Sequence, residues 1–129
     1  MFKSLFNPEK SHTVYVFIDA SNLWAAFKTK GKYLDFEKTT QYIKENFKAS
    51  SIKTFYYTAY PAEGTRDYSL DGKHKFFTYL KKSLGFAVIK KELKRISVAD
   101  DNGERIEEKG NMDVEMTIDT IHHCKKYDT

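Results

Sequence analysis

Asp19 closes the β-rich run Thr13-Val14-Tyr15-Val16-Phe17-Ile18, and Asn22 follows it by three residues. In open α/β sheets, ligands bind beyond the carboxyl ends of the strands, so a carboxylate at that point is placed to meet one. An Asn amide in the first turn of the following helix is close enough to bond either that carboxylate or a substrate oxygen. Plainer uses exist for both: Asp19 as a helix cap, Asn22 as a second cap or an Asx-turn. Farther on, Lys109-Gly110-Asn111-Met112-Asp113-Val114 puts Asp113 in the first turn of a last helix. The helix macrodipole stabilises a carboxylate there, and complementing the helix end is its plainer use. Two carboxylates from different elements minimally meet the needs of magnesium or manganese, which take oxygen ligands and leave positions open for phosphate and water.

Asp119 follows Asp113 by six positions, which separates them by about 120° around a helix and about 9 Å along it. They do not readily share one ion, so Asp119 is expected first to pack the helix or support the site from behind, and only second to be a metal ligand. Glu115 is expected in solvent. His122-His123 beside Cys124 suggests zinc, but adjacent helical residues diverge by about 100° and no second Cys or spaced His completes a tetrahedral set.

Lys90, Lys91, Lys94, Arg95, Arg105 and Lys109 gather around Asp100-Asp101-Asn102-Gly103. Asn-Gly is a tight-turn signal, so Lys90 to Glu108 reads as a projecting β-hairpin. Its basic surface could track a phosphate backbone through Lys90, Lys91, Lys94, Arg95 and Lys109. Glu92, Glu104, Glu107 and Glu108 interleave with these cations, and a solvated ribbon of paired charges is the alternative. Trp24 could stack on a base, yet with Leu23 and Phe27 it more simply forms a helix face in the core.

The elements that must hold these residues alternate. The run 13–18 has no polar alternation and reads as a central strand covered on both faces. A short helix around Leu23 to Phe27 stops near Gly31. Asp35 caps a helix over 36–48, with Phe36, Thr40, Ile43 and Phe47 on one face. Ile52 to Tyr60 is a second strand, 62–70 an exposed loop, and Phe77, Leu80 and Leu84 a helix face ended by Gly85. Phe86 to Ile89 starts a third strand. The last helix runs from an Asn111 cap to about Lys126, with Val114, Ile118 and Ile121 on one side. Such alternation predicts a doubly wound α/β domain with a mainly parallel sheet.

A length of 129 residues suits one domain, and a net charge of +4 favours polyanionic partners. Residues 1–12 read as an N-terminal arm and 13–129 as the domain. A single cysteine excludes a disulfide framework and fits a reducing interior, so the cytoplasm is the expected location. No apolar run is long enough for a signal peptide or a membrane span. A glycine-rich phosphate loop and a Ser/His/Asp set are both missing, which sets aside nucleotide binders and hydrolases of those types.

Phe17-Ile18-Asp19-Ala20-Ser21-Asn22-Leu23 and Lys109-Gly110-Asn111-Met112-Asp113-Val114-Glu115-Met116-Thr117-Ile118-Asp119 together resemble the NYN family of PIN-like nucleases, in its LabA-like bacterial branch. The resemblance runs from about Val14 to Thr129. It implies a three-layer α/β/α domain that cleaves RNA with magnesium or manganese held by acidic residues. Asp19 and Asp113 match the metal carboxylates, Asn22 their polar partner, and Asp119 a recurrent acid. The family continues past such a helix into a strand with a Ser-Gly-Asp-Ser-Asp motif, so this chain is expected to be C-terminally truncated and reduced in activity. An exposed apolar edge on the first strand would then favour a homodimer. The alternative is a non-catalytic RNA-binding or assembly module of the same fold.

Overall fold

The computed structural model describes residues 11–129. In chain order the elements are β1 (Thr13–Asp19), α1 (Ala20–Lys30), α2 (Phe36–Asn46), β2 (Ser51–Tyr60), α3 (Asp71–Lys82), β3 (Ala87–Glu92), β4 (Lys94–Asp100), β5 (Gly103–Lys109) and α4 (Asp113–His122). β1, β2 and β3 form a parallel sheet in that order, while β4 and β5 form a separate antiparallel hairpin. This is the mixed α/β, mainly parallel architecture the alternation predicts.

Alternating side chains on the strands divide the core in two. Tyr56, Ile18 and Val88 point to one face, where Ala20 of α1, Phe36 of α2, and Phe77 and Leu80 of α3 complete the packing. Phe55, Tyr57, Tyr15, Phe17 and Ile89 point to the other, which receives Met112 and, from α4, Met116. Three helices on one side and one on the other make three layers.

The helix starts follow from short polar side chains. Asp19 caps α1, and Gly31 ends it in the left-handed conformation (φ 61°) with its N–H bonded to the Lys28 carbonyl. Asp35 Oδ1 accepts the Lys38 N–H at 3.0 Å and opens α2. Gly85 (φ 72°) lets the chain turn from α3 towards β3.

Four expectations change. β2, not β1, is the central strand, and β1 lies at the edge, as the family resemblance implied, because it is hydrogen-bonded to β2 alone in the sheet. Part of its free side is nevertheless occupied: Tyr15 N–H donates to the Thr129 carbonyl (2.9 Å), and the Thr13 carbonyl accepts from Asp128 N–H (2.8 Å). Lys90 and Lys91 belong to β3, paired with Thr58 and Ala59 of β2, so the hairpin begins only at Lys94. Leu93, whose N–H bonds the Tyr60 carbonyl at 2.8 Å, marks the switch. Finally, α4 stops at His122, and its Val114, Ile118 and Ile121 stripe faces outward at 67%, 58% and 66% exposure. Met112, Met116 and Asp119 take the inward side instead.

The proposed arm lies outside the described residues except for Ser11 and His12. His12 is tied down, donating its N–H to Ser50 Oγ (3.1 Å) and accepting the Ser50 N–H (2.7 Å). No helix among the described residues is long and apolar enough to cross a membrane.

Candidate functional site

At the carboxyl end of β1 the chain enters α1 directly, and Asp19 is fixed by its own cap. Its Oδ1 accepts the backbone N–H of Ser21 (3.1 Å) and Asn22 (3.5 Å), while Oδ2 accepts the Asn22 side-chain amide at 2.8 Å. The spacing of three residues makes this local geometry unavoidable once the helix starts. Across an open cavity of about 420 Å³ stand Asn111, Met112 and Asp113, and the walls are completed by Ser21, Ala59, Leu93 and Gly110. Asp19, Asn22 and Asp113 therefore share one cavity although 91 residues separate Asn22 from Asp113.

Two features bring Asp113 there. Asn111 Oδ1 accepts the Asp113 N–H at 2.8 Å, turning the chain into α4. Gly110 lies so close to the sheet that a Cβ in its place would run into the Leu93 side chain and the Ala59 Cβ. Only glycine allows the hairpin to return over the end of β2 at that depth. Sequence reasoning did not single out Gly110, Leu93 or Asn111 as cavity walls. The expected Asn111 cap is instead an Asx-turn ahead of a Met112 N-cap, and the signal was a glycine directly before that turn residue, which marks close backbone approach as well as a turn.

Asp119 is elsewhere. Its Oδ2 accepts the hydroxyl hydrogen bond of the buried Tyr57 at 2.8 Å, beneath the sheet rather than in the cavity. Burial and, after it, that carboxylate push the Tyr57 pKa well above its ordinary value. The structure thus gives Asp119 a packing partner and does not bring it to Asp19 and Asp113. Glu115 is not free in solvent either: Lys91 Nζ lies 2.8 Å from its Oε1, fastening β3 to α4 and holding the Glu115 carboxyl below its usual range. His123 packs against Phe55 (ring centroids 5.3 Å) and Tyr15 (5.9 Å).

The basic set divides. Lys91 is taken up by Glu115, and Lys90 Nζ lies over the rings of Phe77 (5.6 Å) and Tyr60 (5.9 Å) on the three-helix side. Arg95 sits opposite Glu108, which is itself gripped by Arg66 from the loop after β2, with Nη1 to Oε2 at 3.0 Å. The Arg66 hydrogen bonds hold the Glu108 carboxyl below its usual range. Lys94 and Lys109 face each other directly across the hairpin, each one residue from a cavity wall, Leu93 or Gly110. Like charges in that position repel, and a phosphate between them would relieve it.

Among the described residues no three His, Cys, Asp or Glu side chains gather closely enough for one ion. The donors present still fit a hydrated hard cation. Magnesium keeps several waters and takes one or two carboxylates from a protein, as Asp19 and Asp113 offer here.

A parallel sheet between helical layers, with carboxylates beyond its strand ends, is the layout of a PIN-like α/β domain. The sequence matches the NYN domain over residues 13–129, and the chain belongs to that family, whose nucleases depend in general on divalent metal. It is also similar to Low amplitude and bright protein LabA of Synechococcus elongatus, with 26% identity over 113 residues, covering 88% of this chain and 56% of that protein. The chain therefore spans about half the length of that relative. No solved structure matches it.

Proposed function

We propose that the domain is a metal-dependent ribonuclease that hydrolyses RNA phosphodiesters in the Asp19–Asp113 cavity. The observation that carries this reading is the shared cavity itself: two carboxylates far apart in the chain, beside two lysines on the hairpin that have no carboxylate partner among the described residues. Asp19 and Asp113 would hold magnesium or manganese, which when bound supplies an activated water and stabilises charge on the phosphoryl oxygens. Asn22 fixes the Asp19 carboxylate through its amide, and Lys94 and Lys109, with Arg95 alongside, draw the phosphate backbone to the opening. Asp119 serves this reading by holding α4 to the sheet through Tyr57.

The test is cleavage of a labelled single-stranded RNA in the presence of manganese. Asp19→Asn and Asp113→Asn should each lose activity by at least about a hundredfold, as when charge stabilisation is removed from a reacting site. RNA bound equally well by all three proteins and cut by none would establish the non-catalytic binding module instead. One observation favours that second reading: both Asp19 oxygens already accept hydrogen bonds within the α1 cap.

A further inference from the structure

Beside the carboxylate cavity, and sharing Ser21 and Ala59 with it, lies a second cavity of about 430 Å³. Its walls are mostly apolar and aromatic: Trp24 from α1, Tyr56 on the floor, and Phe76 and Phe77 from α3, with Lys73 also lining it. The rings are held by each other. Trp24 meets Phe76 edge to face at 6.1 Å, and Tyr56 meets Phe76 at 6.2 Å. The floor also carries polar groups. Tyr56 Oη accepts the Trp24 indole N–H at 2.7 Å, and no acceptor for its own hydroxyl hydrogen is found among the described residues. The buried Thr58 hydroxyl makes only a long contact, 3.4 Å, to the Ala59 carbonyl.

We propose that this aromatic cavity takes the base of the nucleotide next to the phosphate bound at the metal ion that Asp19 and Asp113 would hold. The inference rests on the ribonuclease reading and adds a subsite to it. An aromatic wall suits a base because every base offers a π-face, and stacking on such walls is how single-stranded RNA is gripped without sequence readout. The Tyr56 hydroxyl hydrogen offers a base carbonyl a donor at depth. Lys73, exposed on α3, supplies positive charge for the adjoining phosphate. The shared Ser21–Ala59 wall makes base and phosphate neighbours, as they are in one nucleotide. Trp24 thus serves the core with one side and the cavity with another.

Trp24 is the chain's single tryptophan and lines this cavity, so its fluorescence reports on what binds there. Uridine 5′-monophosphate, added with magnesium, should change that emission saturably, and ribose 5-phosphate should not. Phe76→Leu should weaken the nucleotide by about five- to hundredfold, the range that base stacking spans on substitution. Its fold is checked by circular dichroism. Lys73→Ala, at an exposed position, should weaken binding less and reduce its salt dependence. Asp19→Asn should abolish RNA cleavage yet keep the base-dependent response. Equal responses to nucleotide and sugar phosphate, or an emission unmoved by the nucleotide in a protein that cuts RNA, overturn the subsite while leaving the ribonuclease standing. A nucleotide response in a protein that cuts no RNA overturns the ribonuclease and keeps the cavity as a base site.

Discussion

Beneath α1, α2 and α3 the sheet meets Ala20, Phe36, Phe77 and Leu80, all buried, whereas on its opposite face α4 and the turn before it supply Met112 and Met116, and α4 turns Val114, Ile118 and Ile121 outward. The first face is an aromatic jigsaw fixed by packing. The second holds its helix through a few anchors: Met112, the Tyr57–Asp119 hydrogen bond, the Lys91–Glu115 pair and the stacked His123 ring. Asp19 is thus set by the rigid side of the molecule and Asp113 by the sparsely anchored one. The cavity between them depends on how well those anchors hold.

Replacing Leu80, which is 0% exposed, with Ala should cost about 2–5 kcal/mol in a denaturant titration, because the site cannot collapse around the lost atoms. Ile121→Ser in the outward stripe should stay within about 0.5 kcal/mol. Similar losses for the two would break the contrast between the faces. An effect smaller than that at Leu80 is expected from Tyr57→Phe, which deletes the Asp119 hydrogen bond: about 1 kcal/mol of stability. If Asp113 depends on that anchor, metal affinity measured by calorimetry falls as well, and unchanged affinity would show that the start of α4 is held by Gly110 and Asn111 alone.

The smallest effect is a pH dependence at His123. Burial, and then the neighbouring Lys126 charge, lower its pKa below the usual 6.5. Below pH 6.5 the unfolded chain therefore takes up a proton that the folded chain still refuses, and stability declines as the solution is acidified. His123→Phe should flatten that decline between neutral and mildly acid pH. An unchanged slope would assign the acid sensitivity to other groups.

The parts of this arrangement that were legible in the sequence are those set within a few residues. The Asp19–Asn22 contact follows from a strand end, a helix start and a spacing of three, and the Asp35 cap likewise. The alternation of elements was enough for a parallel α/β sheet. What the sequence hid was set by tertiary packing. The apolar spacing of Val114, Ile118 and Ile121 indicates a stripe but not which way α4 rolls, and the roll is decided by Met112, Met116 and the Tyr57 hydroxyl, itself 62 residues from Asp119. The run 13–18 is apolar enough for a central strand, but its place in the sheet is a matter of partners. Lys90 and Lys91 looked like hairpin residues because charge alone does not distinguish β3, paired with β2, from a free ribbon.

The facing lysines at the foot of the hairpin have a consequence for dynamics. Lys94 and Lys109 form a locally frustrated pair inside an otherwise consistent ribbon, a contact the folded chain tolerates rather than gains from. Frustration of that kind would loosen the hairpin at its root, and a polyanion bound there would relieve it. The ribbon would then close on its ligand without a hinge, its stiffness set by what lies between two ammonium groups.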